Sequence, residues 1–148
     1  MSNNTQNEAT TIMVFGTFDG IHLGHLNLLK QARELSRFPY LIISIARDKN
    51  VLKIKKEKPV YTEKQRMNSM KKCTLVDKVV LSGLYNHIPH ILKENPDIIA
   101  LGYDQKEYVK NLKKDLAKNG KKNIKIVRLK PYKIDIYKNH LLKNKRVL

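Results

Sequence analysis

At 148 residues with one cysteine, the chain has the size of a single domain that buries its own core without disulfides or metal staples. One domain over 11–148, preceded by a disordered tail over 1–10, is expected. The longest largely apolar run, Leu41 to Ala46, is far too short to span a bilayer, and Met1 to Thr10 lacks a signal peptide's apolar stretch. A cytoplasmic protein without membrane contact is the expectation. The net charge of +17 is uneven, since residues 106–148 hold 15 Lys and Arg against 3 acids. No run interleaves basic and aromatic residues as a single-strand stacking surface would. The excess therefore reads as a solvated lysine-rich face, and nucleic acid is not the expected partner.

The first structured segment, Thr11-Ile12-Met13-Val14-Phe15, is strand-like and runs into Gly16-Thr17-Phe18-Asp19-Gly20-Ile21-His22-Leu23-Gly24-His25. Leu26 to Ala32 then has helical apolar spacing, so the whole reads strand, Gly-rich turn, helix. Two histidines and two glycines at that junction place imidazole N–H groups and backbone amides at a helix N-terminus, where the dipole favours anions. Such a turn is suited to hold phosphates. His22 and His25 would donate to phosphate oxygens, Gly24 would allow close backbone approach, and Gly16, Thr17 and Phe18 would bring amides and a hydroxyl to the same group.

Tyr40 to Ala46 is a β-branched, continuously apolar strand of the kind that is covered on both faces. A basic loop is expected from Arg47 to Lys58, followed by a helix that Thr62-Glu63-Lys64-Gln65 opens as a capping box and that runs to about Lys72. Lys78 to Leu81 is a third strand, Ile88 to Glu94 a helix, and Asp97 to Leu101 a fourth strand ending at Gly102. His87 and His90 read as ordinary surface or helix-start residues, and Cys73 as a small, partly buried one. A helix over Lys106 to Lys118, a fifth strand over Asn123 to Leu129 and a last helix over Ile136 to Lys145 complete the chain. Strands separated by helices predict a doubly wound, Rossmann-like α/β domain: a parallel sheet of about five strands with helices on both faces. Ligands in such sheets sit beyond the carboxyl ends of the strands. The polar segments after strands one, two, four and five must then share one edge.

The string GTFDGIHLGH resembles the GxFDxxHxGH turn of the cytidylyltransferase-like nucleotidyltransferases. Asp97 to Gln105, DIIALGYDQ, is similar to the corresponding segment of the archaeal-type FAD synthases, which are FMN adenylyltransferases. Ala46-Arg47-Asp48, Val76-Asp77-Lys78 and Val127-Arg128-Leu129 add to that likeness, which spans roughly residues 12 to 132. The resemblance implies a reaction in which a phosphate oxygen of FMN attacks ATP and expels pyrophosphate, with magnesium arriving on the nucleotide. No strong base is needed, because the nucleophile is already an anion; the site must align and neutralise charge.

The resemblance also implies roles for particular residues. Among Lys53, Lys55, Lys56 and Lys58, it points to Lys55 and Lys56 as reaching triphosphate and acceptor phosphate. Arg66 would lie against the nucleotide, Gly102 and Asp104 would meet it after strand four, and the Tyr132 ring would face base or ribose. Asp104 could alternatively cap a helix. At the last helix, Asn139-His140 stands where the family has a Ser/Thr pair holding the β and γ phosphates. Asn139 could still cap that helix and His140 could donate to phosphate. A homodimer is the family's common assembly. Two other readings stay open: a CTP-dependent enzyme making a CDP-alcohol such as CDP-glycerol, and a nucleotide- or RNA-binding relative without catalysis.

Overall fold

The computed structural model describes residues 8–84, 86–105 and 111–131. Among them the elements follow as β1 (Thr10–Gly16), α1 (Leu23–Arg33), β2 (Pro39–Ile45), α2 (Asp48–Lys55), α3 (Glu63–Lys71), β3 (Lys78–Leu81), α4 (His87–Glu94), β4 (Ile98–Leu101), α5 (Leu112–Lys118) and β5 (Lys125–Arg128). The described strands form one sheet in the order β3-β2-β1-β4-β5, and every neighbouring pair is parallel. All their carboxyl ends therefore lie along a single edge. From β1 the chain crosses to β2 on one side, whereas β4 and β5 are laid down on the other. The reversal of direction opens a crevice between the ends of β1 and β4, where open α/β sheets bind ligands.

The alternation of side chains sorts the apolar residues onto two faces. Ile12 and Val14 of β1 join Leu41, Ile43 and Ile45 of β2 under Leu29 and Ala32 of α1 and Met70 of α3. Met13 and Phe15 join Ile42, Ile99 and Leu101 under Ile88 and Ile91 of α4 and Leu112 and Leu116 of α5. The central strands β1, β2 and β4 are thus apolar on both faces, which is why they read as continuous hydrophobic runs. Cys73 is a free thiol of intermediate exposure packed against the first face.

The structure departs from the sequence expectations in three places. Thr10, expected in the tail, opens β1 and donates its N–H to the Phe38 carbonyl at 2.7 Å. The stretch after β2 is not a loop throughout, because Asp48–Lys55 forms α2. Its apolar signal is weak: Val51 is buried while Leu52 and Ile54 stay exposed. What fixes it is a contact distant in sequence, where the Asp48 N–H donates to the Glu63 carboxylate at 2.9 Å and the Glu63 N–H donates to that of Asp48 at 3.1 Å. Each acid caps the first turn of the other's helix. Finally, α1 starts at Leu23, so Gly24 and His25 belong to its first turn rather than to the loop before it.

The helix expected over 106–118 is present from Leu112; residues 106–110 lie outside the described residues, as do 1–7 of the expected tail and the last expected helix. Among the described residues, no helix is long and apolar enough to cross a membrane. Ile43 has no exposed surface at the centre of β2, and Ile43→Ala is expected to cost about 2–5 kcal/mol. The same truncation at the exposed Ile54 should stay within about 0.5 kcal/mol. Urea unfolding of the two variants beside the parent checks both.

Candidate active site

The turn after β1 is shaped by its own side chains. Phe18 takes a left-handed backbone conformation, φ 50°, and is 5% exposed, its ring folded back over Gly16. A Cβ at Gly16 would lie 2.5 Å from Phe18 Cε2, so only glycine can occupy that position. The Phe18 ring also meets His25 edge-on at 5.1 Å. His22 is the N-cap of α1, and its Nδ1 accepts the N–H groups of Gly24 at 3.0 Å and His25 at 3.4 Å. His25 Nδ1 in turn accepts the His22 N–H at 3.3 Å. The result is a capping box in which two imidazoles replace the usual hydroxyl and carboxylate. The rings stack at 3.8 Å with 20° between their planes. Gly24 is what lets the His22 ring lie back, since a Cβ there would come within 2.9 Å of His22 Cε1.

This geometry fixes proton positions. With both Nδ1 atoms accepting, each neutral ring carries its proton on Nε2. Burial is the main cause that brings His25 down from 6.5 to about 4, helped by the neighbouring His22 and, more weakly, by Lys55, and opposed by a backbone hydrogen bond with Gly20. His25 is therefore a neutral donor at pH 7. The Gly24 and His25 amides, expected to be open to phosphate, are already engaged by His22.

Under the turn lies Arg66 of α3, whose side chain has no exposed surface. It donates to the Thr17 carbonyl at 2.8 Å, to the Tyr61 carbonyl at 3.0 Å and to the Asp48 carboxylate at 2.6 Å. One guanidinium thus holds the phosphate turn, the segment before α3 and the first residue of α2 together. A side chain so enclosed does not lie on the surface a nucleotide would meet. Asp19, from the middle of the turn, accepts the N–H groups of Val60 at 2.7 Å and Tyr61 at 2.8 Å. Burial would raise its carboxyl, but those two bonds, with Arg66 and Lys55 nearby, hold it below its ordinary value. Lys55 ends α2 and is exposed, and its positive charge is the weakest of the influences on Asp19 and His25, lowering both. Lys56, left-handed at φ 62°, is the exposed C-cap of the same helix.

Across the crevice, Gly102 follows β4. Its N–H donates to Gln105 Oε1 at 2.8 Å, while Gln105 Nε2 donates to the Phe15 carbonyl at 2.8 Å, joining the ends of β4 and β1. Arg128 of β5 donates to the carbonyls of Gly102, Tyr103 and Gln105 at 2.8, 3.3 and 3.3 Å. Asp104 stands exposed on the turn so formed. Gln31 of α1 exchanges two hydrogen bonds with the backbone of Lys130, at 2.8 and 2.9 Å, drawing the segment after β5 toward α1. Tyr132, Asn139 and His140 lie outside the described residues. His87 opens α4, as the helix-start reading has it, and both His87 and His90 are half-buried beside Phe15, with His90 Nε2 2.8 Å from the hydroxyl of the buried Ser44.

The structure thus brings Gly16, Thr17, Phe18, His22, Gly24, His25 and Lys55 to one turn, and sets Gly102 and Asp104 at the neighbouring strand end. Sequence reasoning missed Asp19, Asp48, Gln105 and Arg128. Only Asp19 had a usable signal, because a carboxylate inside an anion-binding turn must be neutralised by donors of its own. Among the described residues, no group of three or more His, Cys, Asp or Glu side chains is placed to hold a metal.

Removing the Arg66 guanidinium leaves two carbonyls and a carboxylate without their donor. Arg66→Met should destabilise the fold by about 3 kcal/mol in urea unfolding, the low end for a broken buried pair because Asp48 is partly exposed. For His25, the folded imidazole refuses a proton that the unfolded chain accepts between pH 6.5 and 4. Its contribution to stability is complete above pH 6.5 and is lost as the pH falls through that window. An NMR titration should place the His25 midpoint near 4, and His25→Gln should reduce the loss of stability on going from pH 7 to pH 5.

The cytidylyltransferase-like family model matches residues 13–144. The FAD synthase of Korarchaeum cryptofilum is 44% identical over 119 residues, covering 80% of each chain. That of Thermococcus sibiricus is 36% identical over 146 residues, covering 97% of this chain and 93% of its own. Among solved structures, the lipopolysaccharide core biosynthesis protein of Thermoplasma volcanium superposes with a TM-score of 0.76 at 31% identity, over 84% of this chain and 99% of that one. A protein of unknown function from Archaeoglobus fulgidus shares the fold, with a TM-score of 0.64 at 20% identity over 82% of this chain and 90% of its own. With the paired histidines, the glycines that make room for them and the parallel sheet that carries the turn, these likenesses have one meaning: the chain belongs to the cytidylyltransferase-like nucleotidyltransferases.

Proposed function

We propose that this protein is an FAD synthase, an FMN adenylyltransferase that joins ATP and FMN to give FAD and pyrophosphate. The observation that carries the reading is its likeness to archaeal FAD synthases along most of both chains. A phosphate oxygen of FMN bonds to the α-phosphorus of ATP, and the bond from that phosphorus to the β-bridging oxygen breaks. The electron pair leaves on pyrophosphate. The attacking oxygen is already anionic, so the protein's task is to align two polyanions and offset the charge that builds between them.

The turn is suited to that task. His22 and His25 donate through Nε2–H toward phosphate oxygens, His25 as a neutral ring, and their mutual capping prevents either ring from turning away. Lys55 supplies a fixed positive charge beside them, and the exposed Lys56 extends it. The positive end of the α1 dipole adds to the same field. Gly16, Thr17, Phe18 and Gly24 shape the floor on which the phosphates rest. Gly102 and Asp104 serve the nucleotide from the other side of the crevice, the carboxylate accepting from its N–H or O–H groups. Arg66 acts through the turn it holds, as a positioning residue. The divalent cation, magnesium, enters as part of the substrate with ATP.

Pyrophosphate release, measured with ATP or CTP against FMN, glycerol 3-phosphate or no acceptor, tests this directly. Release with ATP and FMN alone is expected, with FAD as the co-product. Release with CTP and glycerol 3-phosphate would reassign the substrates, and silence from folded protein would reject the activity. His25→Ala should lower turnover on the order of a hundredfold, the scale of losing one transition-state donor.

A further inference from the structure

The segment before α3 presents an aromatic side chain in a way that folding alone does not require. Tyr61 is 48% exposed and Val60 82% exposed, so neither completes the core. Yet the backbone of Tyr61 is held on both sides. Its N–H is bound by Asp19 of the phosphate turn at 2.8 Å, and its carbonyl by the buried Arg66 at 3.0 Å. The next residue, Thr62, is the N-cap of α3, closed by a reciprocal box with Gln65. The Tyr61 ring lies over Gly20, where the backbone has φ +92° and a Cβ would be 3.9 Å from Tyr61 Cε2. The backbone that carries an exposed aromatic ring is therefore held beside the histidine turn by the turn's own carboxylate. Ordering such a residue costs conformational entropy that the modest burial of its ring recovers only in part.

From this placement we infer that Tyr61 is the stacking residue for the planar ring of the flavin substrate, and that Asp19 is the residue that positions it. The inference rests on the FAD synthase reading. The substrates carry two aromatic systems, and the phosphate turn has two sides. The β4 side offers a carboxylate, Asp104, beside the exposed ring of Tyr103 on a turn of ordered backbone carbonyls, which suits a purine nucleoside that is hydrogen-bonded as well as stacked. The α2–α3 side offers Leu52, Ile54, Val60 and Tyr61, exposed residues from one stretch of chain. Those suit the larger and more apolar isoalloxazine with its dimethylbenzenoid edge.

The test uses the full chain with Tyr61→Ala and Tyr61→Phe, each checked for folding by circular dichroism. FMN binding is read from quenching of flavin fluorescence, and KM is measured separately for FMN and ATP. Tyr61→Ala should weaken FMN binding and raise its KM on the order of tenfold, the scale of one lost stacking contact, with the KM for ATP within about twofold. Tyr61→Phe should keep both near the parent, because the face of the ring and not its hydroxyl makes the contact. A rise confined to the KM for ATP would place the ring against the nucleotide and overturn the inference, as would two unchanged constants in Tyr61→Ala. If the parent quenches FMN in a Tyr61-dependent way but forms no FAD, the flavin site stands and the reaction assignment falls. If the parent neither binds FMN nor forms FAD, both fall.

Discussion

The site depends on one buried cation. Arg66 spends all of its polar surface inside the protein, on a carbonyl of the phosphate turn, a carbonyl of the segment before α3 and the acid that begins α2. Three stretches of chain that share no secondary structure are thereby held in one arrangement. An arginine suits this role because its planar fork reaches separate acceptors at fixed angles, which an ammonium cannot do. The mutual capping of Asp48 and Glu63 completes the junction: two helix N-termini meet, and each supplies the carboxylate the other needs. Lys55 then stands at the far end of a helix whose near end is anchored to the turn it serves.

The second constraint is the histidine pair. Each ring uses its Nδ1 to satisfy a backbone donor, so tautomer and orientation are set before any ligand arrives. A substrate need not pay to organise its donors, and this pre-organisation is the larger part of what an electrostatic site contributes. The same arrangement keeps His25 neutral well below physiological pH. His25 can therefore respond to incoming negative charge by gaining proton affinity from a neutral starting state.

Much of this architecture could be read from the chain. The central strands of the sheet announced themselves because they are buried on both faces, and the Thr62 capping box was visible as Thr62 and Gln65 at the required spacing. The turn after β1 was recognisable as a strand-to-helix turn from its glycines and histidines. What could not be read was every contact that joins residues far apart in sequence. Arg66 looks like any helix arginine until Thr17, 49 residues earlier, is brought above it. Helix α2 was hidden because its lysines dilute the apolar pattern and its cap comes from Glu63. Gln105 and Arg128 are unremarkable polar residues whose partners are backbone atoms, and backbone atoms leave no mark in a sequence.

The order of the sheet carries a further consequence. Its inner strands are mostly apolar, and parallel pairing between distant segments leaves such strands unpartnered for longer during folding than local hairpins would. The strands at the two borders, β3 and β5, are four residues each and begin with Lys78 and Lys125. Short, cationic borders offer a poor template for another copy, and like charges discourage two sheets from joining side by side. The surplus of lysine, which has no assigned task at the crevice apart from Lys55 and Lys56, thus acts on colloidal behaviour: it lets a chain with a very hydrophobic interior be made at high concentration without one molecule extending the sheet of the next.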